Sequence, residues 1–426
     1  MRYAYLLLII AMANDLFDLV PWTHIPGVFN VSDVGIALIG LGILFYIFKV
    51  KDFSRLSNFF TWYIFLYLVL LLVQVSVASF NYSQSIFDGL IAARDQFYYL
   101  LFPLSLFALN DVRKIKKFLN ILSIVSVILI FISIVNYFGP TLFYHRWADG
   151  HGVRSGIVRA YIPAMVILPF GAIWEFIKYL DEKKIFTHSL LMFLIIFSGI
   201  LFRQSRIFIL GVTVTLVLIL IARRHFKVLV GFGLFSLILI ILLEFTTDQN
   251  LLLNVFYTAY IDIAQEEGTW EGRLQQIRAS FDIVLENFWT GSGGLVIRGS
   301  HIPGWASLGS LLDVALNTDL GYWTWVKFFG FPGIVLITIL IIGFYLYAWK
   351  IKNLGGDPQI INFAWYYFTY VLLIMVTIGT LTITRGIVLL CIIWASLVNA
   401  TQGEVQVQST KYDSKELPVA SNKEDR

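Results

Sequence analysis

Arginines at short spacing are the first residues here that could do chemistry. Arg203 and Arg206 stand three apart in Phe-Arg-Gln-Ser-Arg, while Arg154 and Arg159, and Arg273 and Arg278, stand five apart. A guanidinium is planar, always charged and able to grip two oxygens of one phosphate or carboxylate. Such a set suits an anionic ligand with several oxygens. The plain alternatives are pairing with the chain's own acids and anchoring in lipid headgroups. Two further residues could handle a proton. His301 titrates near neutrality when unperturbed, and Asp319 could act as a general base or accept from a sugar hydroxyl. Their bland readings are a surface histidine and an acid favoured at a helix start. Tyr322 follows closely and is a candidate for contact with a sugar.

Other chemistries are excluded early. The chain has one cysteine, Cys391, within an apolar run, and six histidines with no HxxxH or HExxH spacing. No internal disulfide and no Cys-ligated metal site can form. The acids of residues 246–326 show no DxD spacing, so no metal and no cofactor are expected. Gly291-Ser-Gly-Gly294 lacks the strand and lysine of a phosphate-binding P-loop, and no nucleic-acid partner is expected.

The elements that must position these residues are membrane helices. Of 426 residues, 58% are hydrophobic and 14% charged, which a soluble domain could not cover. About 20 apolar residues span the hydrocarbon core. The sequence predicts an all-α polytopic protein of about twelve transmembrane helices, with runs near 3–21, 32–49, 59–80, 85–109, 118–138, 157–179, 186–202, 205–222, 226–245, 327–349, 361–379 and 382–400. The expected organisation is nine spans in 1–245, a large, mainly helical extracytoplasmic loop in 246–326, three spans in 327–400, and a disordered cytoplasmic tail in 401–426.

Charged loops orient the bundle. Clusters such as Lys49/Lys51/Arg55, Arg113/Lys114/Lys116/Lys117 and Arg223/Arg224/Lys227 recur on alternate connections. By the positive-inside rule these face the cytoplasm, with both termini. The opposite side then carries nine arginines and a single lysine, Lys327, whereas the cytoplasmic side is lysine-rich. That preference points to an anion outside. The long loop has nine acids and three arginines, so internal pairing competes. Arg94 lies about nine residues into the fourth run; it faces either the buried end of an anionic substrate or an ion-pair partner between helices.

The loop itself is patterned. Gly272-Arg273 opens a helix whose Leu274, Ile277, Phe281, Val284 and Phe288 form an apolar stripe. Gly291 to Gly294 ends it. Ser205 is placed to cap the helix that Arg206 starts. A cation at that helix end opposes the macrodipole unless an anion joins it.

Together these motifs resemble the O-antigen ligase/polymerase superfamily: Ser205-Arg206; Gly272-Arg273 with the amphipathic helix and GSGG turn; and Asn317-Thr-Asp-Leu-Gly-Tyr322 leading to Phe329-Gly-Phe-Pro-Gly333. The resemblance implies a GT-C-like, metal-independent glycosyltransferase at the outer face of a bacterial inner membrane. Its substrate would be an undecaprenyl-pyrophosphate-linked oligosaccharide within membrane lipid, with a chain-length regulator as a further partner. Arg206 and Arg273 fall on the family's arginine positions; Arg203, Arg154, Arg159, Arg278 and Arg94 are additional candidates for the pyrophosphate or glycan, with Asp319 and His301 as catalytic candidates. Ligases of this group place a histidine where this chain has Leu316. The expected activity is therefore polymerase, passing a growing glycan to the next lipid-linked repeat. The alternatives are a ligase acting on lipid A-core or a protein, and a transporter.

Overall fold

The computed structural model describes residues 2–18, 31–49, 53–82, 84–138, 153–154, 157–158, 165–182, 187–203, 205–231, 233–234, 257, 260–261, 264, 268–293, 321–376 and 378–401. Helices dominate: α1 (Arg2–Ala13), α2 (Val31–Lys49), α3 (Phe59–Tyr82), α4 (Ile86–Ala93), α5 (Leu101–Ala108), α6 (Val112–Phe138), α7 (Ile167–Glu182), α8 (His188–Arg203), α9 (Arg206–Ala222), α10 (Gly268–Glu286), α11 (Gly321–Asn353), α12 (Pro358–Ile374) and α13 (Thr384–Val398). A 3-10 helix, Arg94–Leu100, joins α4 to α5. Strands β1 (Val153–Arg154) and β2 (Ile157–Val158) pair antiparallel, Val153 opposite Val158.

The twelve-span, GT-C-like expectation is corrected. Among the described residues, five helices are long and apolar enough to cross a membrane: α2, α3, α6, α11 and the stretch from α13 to Thr401. Apolar runs overcount spans because the backbone breaks inside them. The first run stops at Ala13, where Asp15, Leu16 and Phe17 take positive φ near 51–59°. The run at 85–109 divides into α4, the 3-10 helix and α5. Within the run at 157–179, Ile157–Val158 form a strand and α7 begins at Ile167, and the helix in the run at 361–379 ends at Ile374. Helices α8, α9 and α12 have 16 to 17 residues, about 25 Å at 1.5 Å per residue and short of a ~30 Å core. Helix α12 is largely buried in protein, so its apolarity reflects packing as much as lipid. The run at 226–245 lies mostly outside the described residues.

The lipid-facing side is nonetheless evident. Phe48 and Phe80 are about nine-tenths exposed on α2 and α3, with Trp62, Phe65 and Phe45 beside them. Water would penalise such faces. With the five helices among the described residues that are long and apolar enough to cross a membrane, they mark this as a polytopic membrane protein.

The core is aromatic. Phe60, Tyr67, Tyr99, Trp325, Phe329 and Trp394 interlock, with Tyr67 to Tyr99 at 4.7 Å and Phe60 stacked on Trp394 at 5.1 Å. The Tyr67 hydroxyl donates to Gln96 Oε1, and Gln96 Nε2 donates to the Thr382 carbonyl at 2.7 Å. These bonds satisfy polar groups that burial would otherwise penalise.

The bundle has two distinct ends. At one, Asn399 Nδ2 bonds the Leu106 and Leu109 carbonyls, and Lys116 pairs with Asp357 at 2.7 Å. That end gathers the finishes of α5 and α13 and the start of α12. The other end gathers the finish of α12 and the starts of α9, α11 and α13. It holds the candidate site.

Candidate functional site

The end of α12 is the fixed point. Tyr322 N–H donates to the Met375 carbonyl at 2.9 Å, and the Tyr322 hydroxyl donates to the Leu372 carbonyl at 2.8 Å. A Cβ on Gly321 would fall 1.6 Å from the Met375 oxygen, so α11 can begin there only with glycine. Helix α9 packs on the same turn: a Cβ on Gly211 would meet Ile374 at 2.7 Å and Tyr370 at 3.1 Å. Five residues before Gly211, Arg206 opens α9, half-buried, with no acid in that first turn. Ser205 holds the N-cap position in an extended conformation, but its side chain makes no capping bond. Arg203 is the last residue of α8, across a two-residue connection.

Helix α10 begins at Gly268, so Arg273 lies in its second turn rather than at its opening. Arg273 leads a row with Ile277, Phe281 and Val284, the face that meets α11. Phe281 stacks parallel to Trp323 at 6.2 Å, and Val284 is buried. Arg273 is half-buried on that row; Arg278, off the row, is exposed.

After α10 the chain docks on a break in α11. Gly330 has φ 62° and ψ −148°, and Pro332 follows. Proline carries no N–H, so the Phe328 carbonyl loses its usual helical donor. Gly293 N–H supplies one at 3.2 Å. The Lys327 carbonyl receives Ser292 N–H and Oγ, both at 3.0 Å, while Phe331 N–H turns to the Phe288 carbonyl at 2.7 Å. Gln74 on α3 donates to the Thr290 carbonyl at 2.7 Å. Gly291 and Gly293 have φ of 77° and 74°, and a Cβ on Gly291 would sit 2.3 Å from the Phe328 oxygen. The glycine-rich turn thus holds α10 against α11 by replacing the hydrogen bonds broken at the kink.

Two ion pairs tie neighbouring helices at this end. Arg94 Nη1 lies 3.4 Å from Asp33 Oδ2, and Arg385 Nη2 lies 3.0 Å from Asp15 Oδ2. They join α1 and α2 to the 3-10 helix and α13. The Arg94 guanidinium therefore meets a protein carboxylate, the structural alternative raised for it above.

The described contacts bring the starts of α9, with Arg206, and α11, with Tyr322, onto the end of α12, while Arg273 lies two helical turns before Phe281, the α10 residue that stacks on Trp323. The backbone of Arg154 lies in β1. Arg159, His301 and Asp319 lie outside the described residues. Sequence reasoning missed Gln74, Gln96 and the Gly330–Pro332 break. Their signals were present: lone amides inside apolar runs, and a glycine and proline two residues apart within a span. Among the described residues, no three His, Cys, Asp or Glu side chains converge closely enough to hold a metal ion.

Residues 191–338 match the family model described as O-antigen ligase. This segment belongs to the O-antigen ligase/polymerase superfamily. No curated protein matches the chain. The matched segment runs from the start of α8 through α9 and α10 to the middle of α11. It contains Arg203, Arg206, Arg273, Arg278, His301, Asp319 and Tyr322, and excludes Arg94, Arg154 and Arg159. At family level this agrees with the resemblance read from the sequence. The matched family's ligase description fits the ligase alternative better than the polymerase reading.

Proposed function

We propose that the protein is a membrane glycosyltransferase of the O-antigen ligase class. It transfers a glycan from a lipid pyrophosphate carrier to an acceptor sugar. The observation that carries this is the family match over the segment containing both Arg206 and Arg273. The packing of α9 and α11 on one turn of α12, with α10 on α11, supports it further. In this reading the two guanidiniums hold the pyrophosphate. The start of α9 adds backbone N–H groups and a positive dipole end. The acceptor hydroxyl attacks the anomeric carbon, the bond to the pyrophosphate oxygen breaks, and the hydroxyl proton passes to a base. Asp319 and His301 are the proposed candidates for that base. Negative charge grows on the departing pyrophosphate, so the arginines contribute most in the transition state.

The proposed setting is a bacterial inner membrane. In this setting residues 246–326 lie on the outer side with the arginines and both termini lie in the cytoplasm, an orientation the lysine-rich loops favour.

Polymerase remains the second reading because Leu316 stands where ligases of this group place a histidine. Purified protein in vesicles decides between them. Supplied with an undecaprenyl-pyrophosphate-linked oligosaccharide and a lipid A-core acceptor, a ligase yields one glycan on the acceptor and no growth of the donor. A polymerase lengthens the donor without any acceptor. Neither product, from folded protein, would refute glycosyl transfer.

A further inference from the structure

At the end of the bundle opposite the arginine site, α1, α2 and α5 enclose a groove of about 570 Å³. Its size falls within the usual range for ligand pockets, roughly 300–1,000 Å³. Its floor is buried and apolar: Leu6, Gly42, Leu104 and Ala108. Gly42 shapes it, since a Cβ there would press on Leu104 and Tyr5 at 3.0 Å. One wall is lipid-facing, with Leu41 and Phe45 about three-fifths exposed. The mouth differs sharply in character. Arg2 begins α1 and Lys49 ends α2, and both line the groove. Lys49 Nζ lies 5.3 Å from the Phe45 ring centre. Neither cation has a carboxylate within ion-pair distance among the described residues, whereas Lys116 and Lys178 nearby do.

An apolar trough open to lipid and headed by two cations has the chemistry of one amphiphile. We propose that this groove binds an anionic glycerophospholipid. One acyl chain lies along Leu6 and Leu104, and the phosphate sits between Arg2 and Lys49. The site is separate from the proposed transfer site and holds whether or not that activity is correct. A neutral lipid would leave both cations facing an uncharged headgroup. Each cation near an anionic lipid surface strengthens binding roughly fivefold.

The test uses the full chain reconstituted into vesicles of phosphatidylcholine and phosphatidylglycerol, then re-extracted for native mass spectrometry. Wild type should retain phosphatidylglycerol in preference to phosphatidylcholine. Arg2→Gln with Lys49→Gln should lower that retention roughly tenfold or more, as two such cations imply. Leu41→Trp, at an already exposed position on the groove wall, should exclude both lipids while the melting temperature holds. Arg113→Gln removes an exposed cation at the same end, outside the groove, and should leave retention unchanged. If the double variant does not fold, Lys49→Gln alone carries the charge test. Equal retention of the two lipids, an unaltered preference in the charge variants, an equal loss in Arg113→Gln, or occupancy by a polyprenyl phosphate instead would each overturn the proposal.

Discussion

At the scale of single residues, arginine type and position separate roles that spacing alone could not. Arg273 and Arg278 looked equivalent in the sequence. The helix sets them about 140° apart, one on the packed row and one exposed. Arg278→Lys keeps the charge at that exposed position and should therefore leave glycan transfer within about twofold of wild type. Tyr322 shows the converse. Its hydroxyl is committed to the Leu372 carbonyl, so Tyr322→Phe should lower stability by about 1 kcal/mol. A thermal melt in detergent would measure this, and transfer per folded molecule should persist. A selective loss of transfer with an unshifted melt would instead assign the hydroxyl to the substrate.

At the scale of elements, the sequence made some features legible and hid others for a physical reason. The row Ile277, Phe281 and Val284 is local periodicity, so α10 and its packed face could be read directly. The turn at Gly291 was legible as a helix end, but its partner was not. The Phe328 carbonyl lies dozens of residues away, and nothing local encodes that contact. Spans were overcounted because hydropathy registers apolarity, not hydrogen bonding. It passed over the positive-φ turn at Asp15–Phe17 and over the 3-10 helix at Arg94. The docking of α10 on α11 makes its own prediction. Gly291→Ala meets both a positive φ and the Phe328 oxygen at 2.3 Å, and should destabilise by roughly 1–3 kcal/mol. Gly40→Ala, with nothing within 4 Å of its added Cβ, should be neutral or up to ~1 kcal/mol stabilising. Melts of the two variants side by side would check the docking; equal, small shifts would contradict it.

At the scale of the whole molecule, two ends of different chemistry organise the bundle. One collects helix starts and arginines around the end of α12. The other collects lysines, the Asn399 junction and the lipid groove. The charge bias in the sequence pointed to such a polarity, read from basic clusters on alternate connections of the twelve expected runs. Cys391 is fully buried, so native protein gives little background to a membrane-impermeant maleimide. Introduced cysteines then report sidedness. Ser300→Cys should label in intact spheroplasts, and Ser414→Cys only after permeabilisation. The reverse pattern would invert the proposed orientation and place the arginine end in the cytoplasm.

In the proposed function Arg206 and Arg273 act through the fork geometry of arginine on a lipid pyrophosphate. The direct measurement is the initial rate of glycan transfer from a lipid-pyrophosphate donor by purified Arg206→Lys and Arg273→Lys proteins with unchanged melting temperatures. Lysine keeps the charge but cannot bind two oxygens at once. The rate should fall about a hundredfold in each. Wild-type rates in both variants would contradict that role.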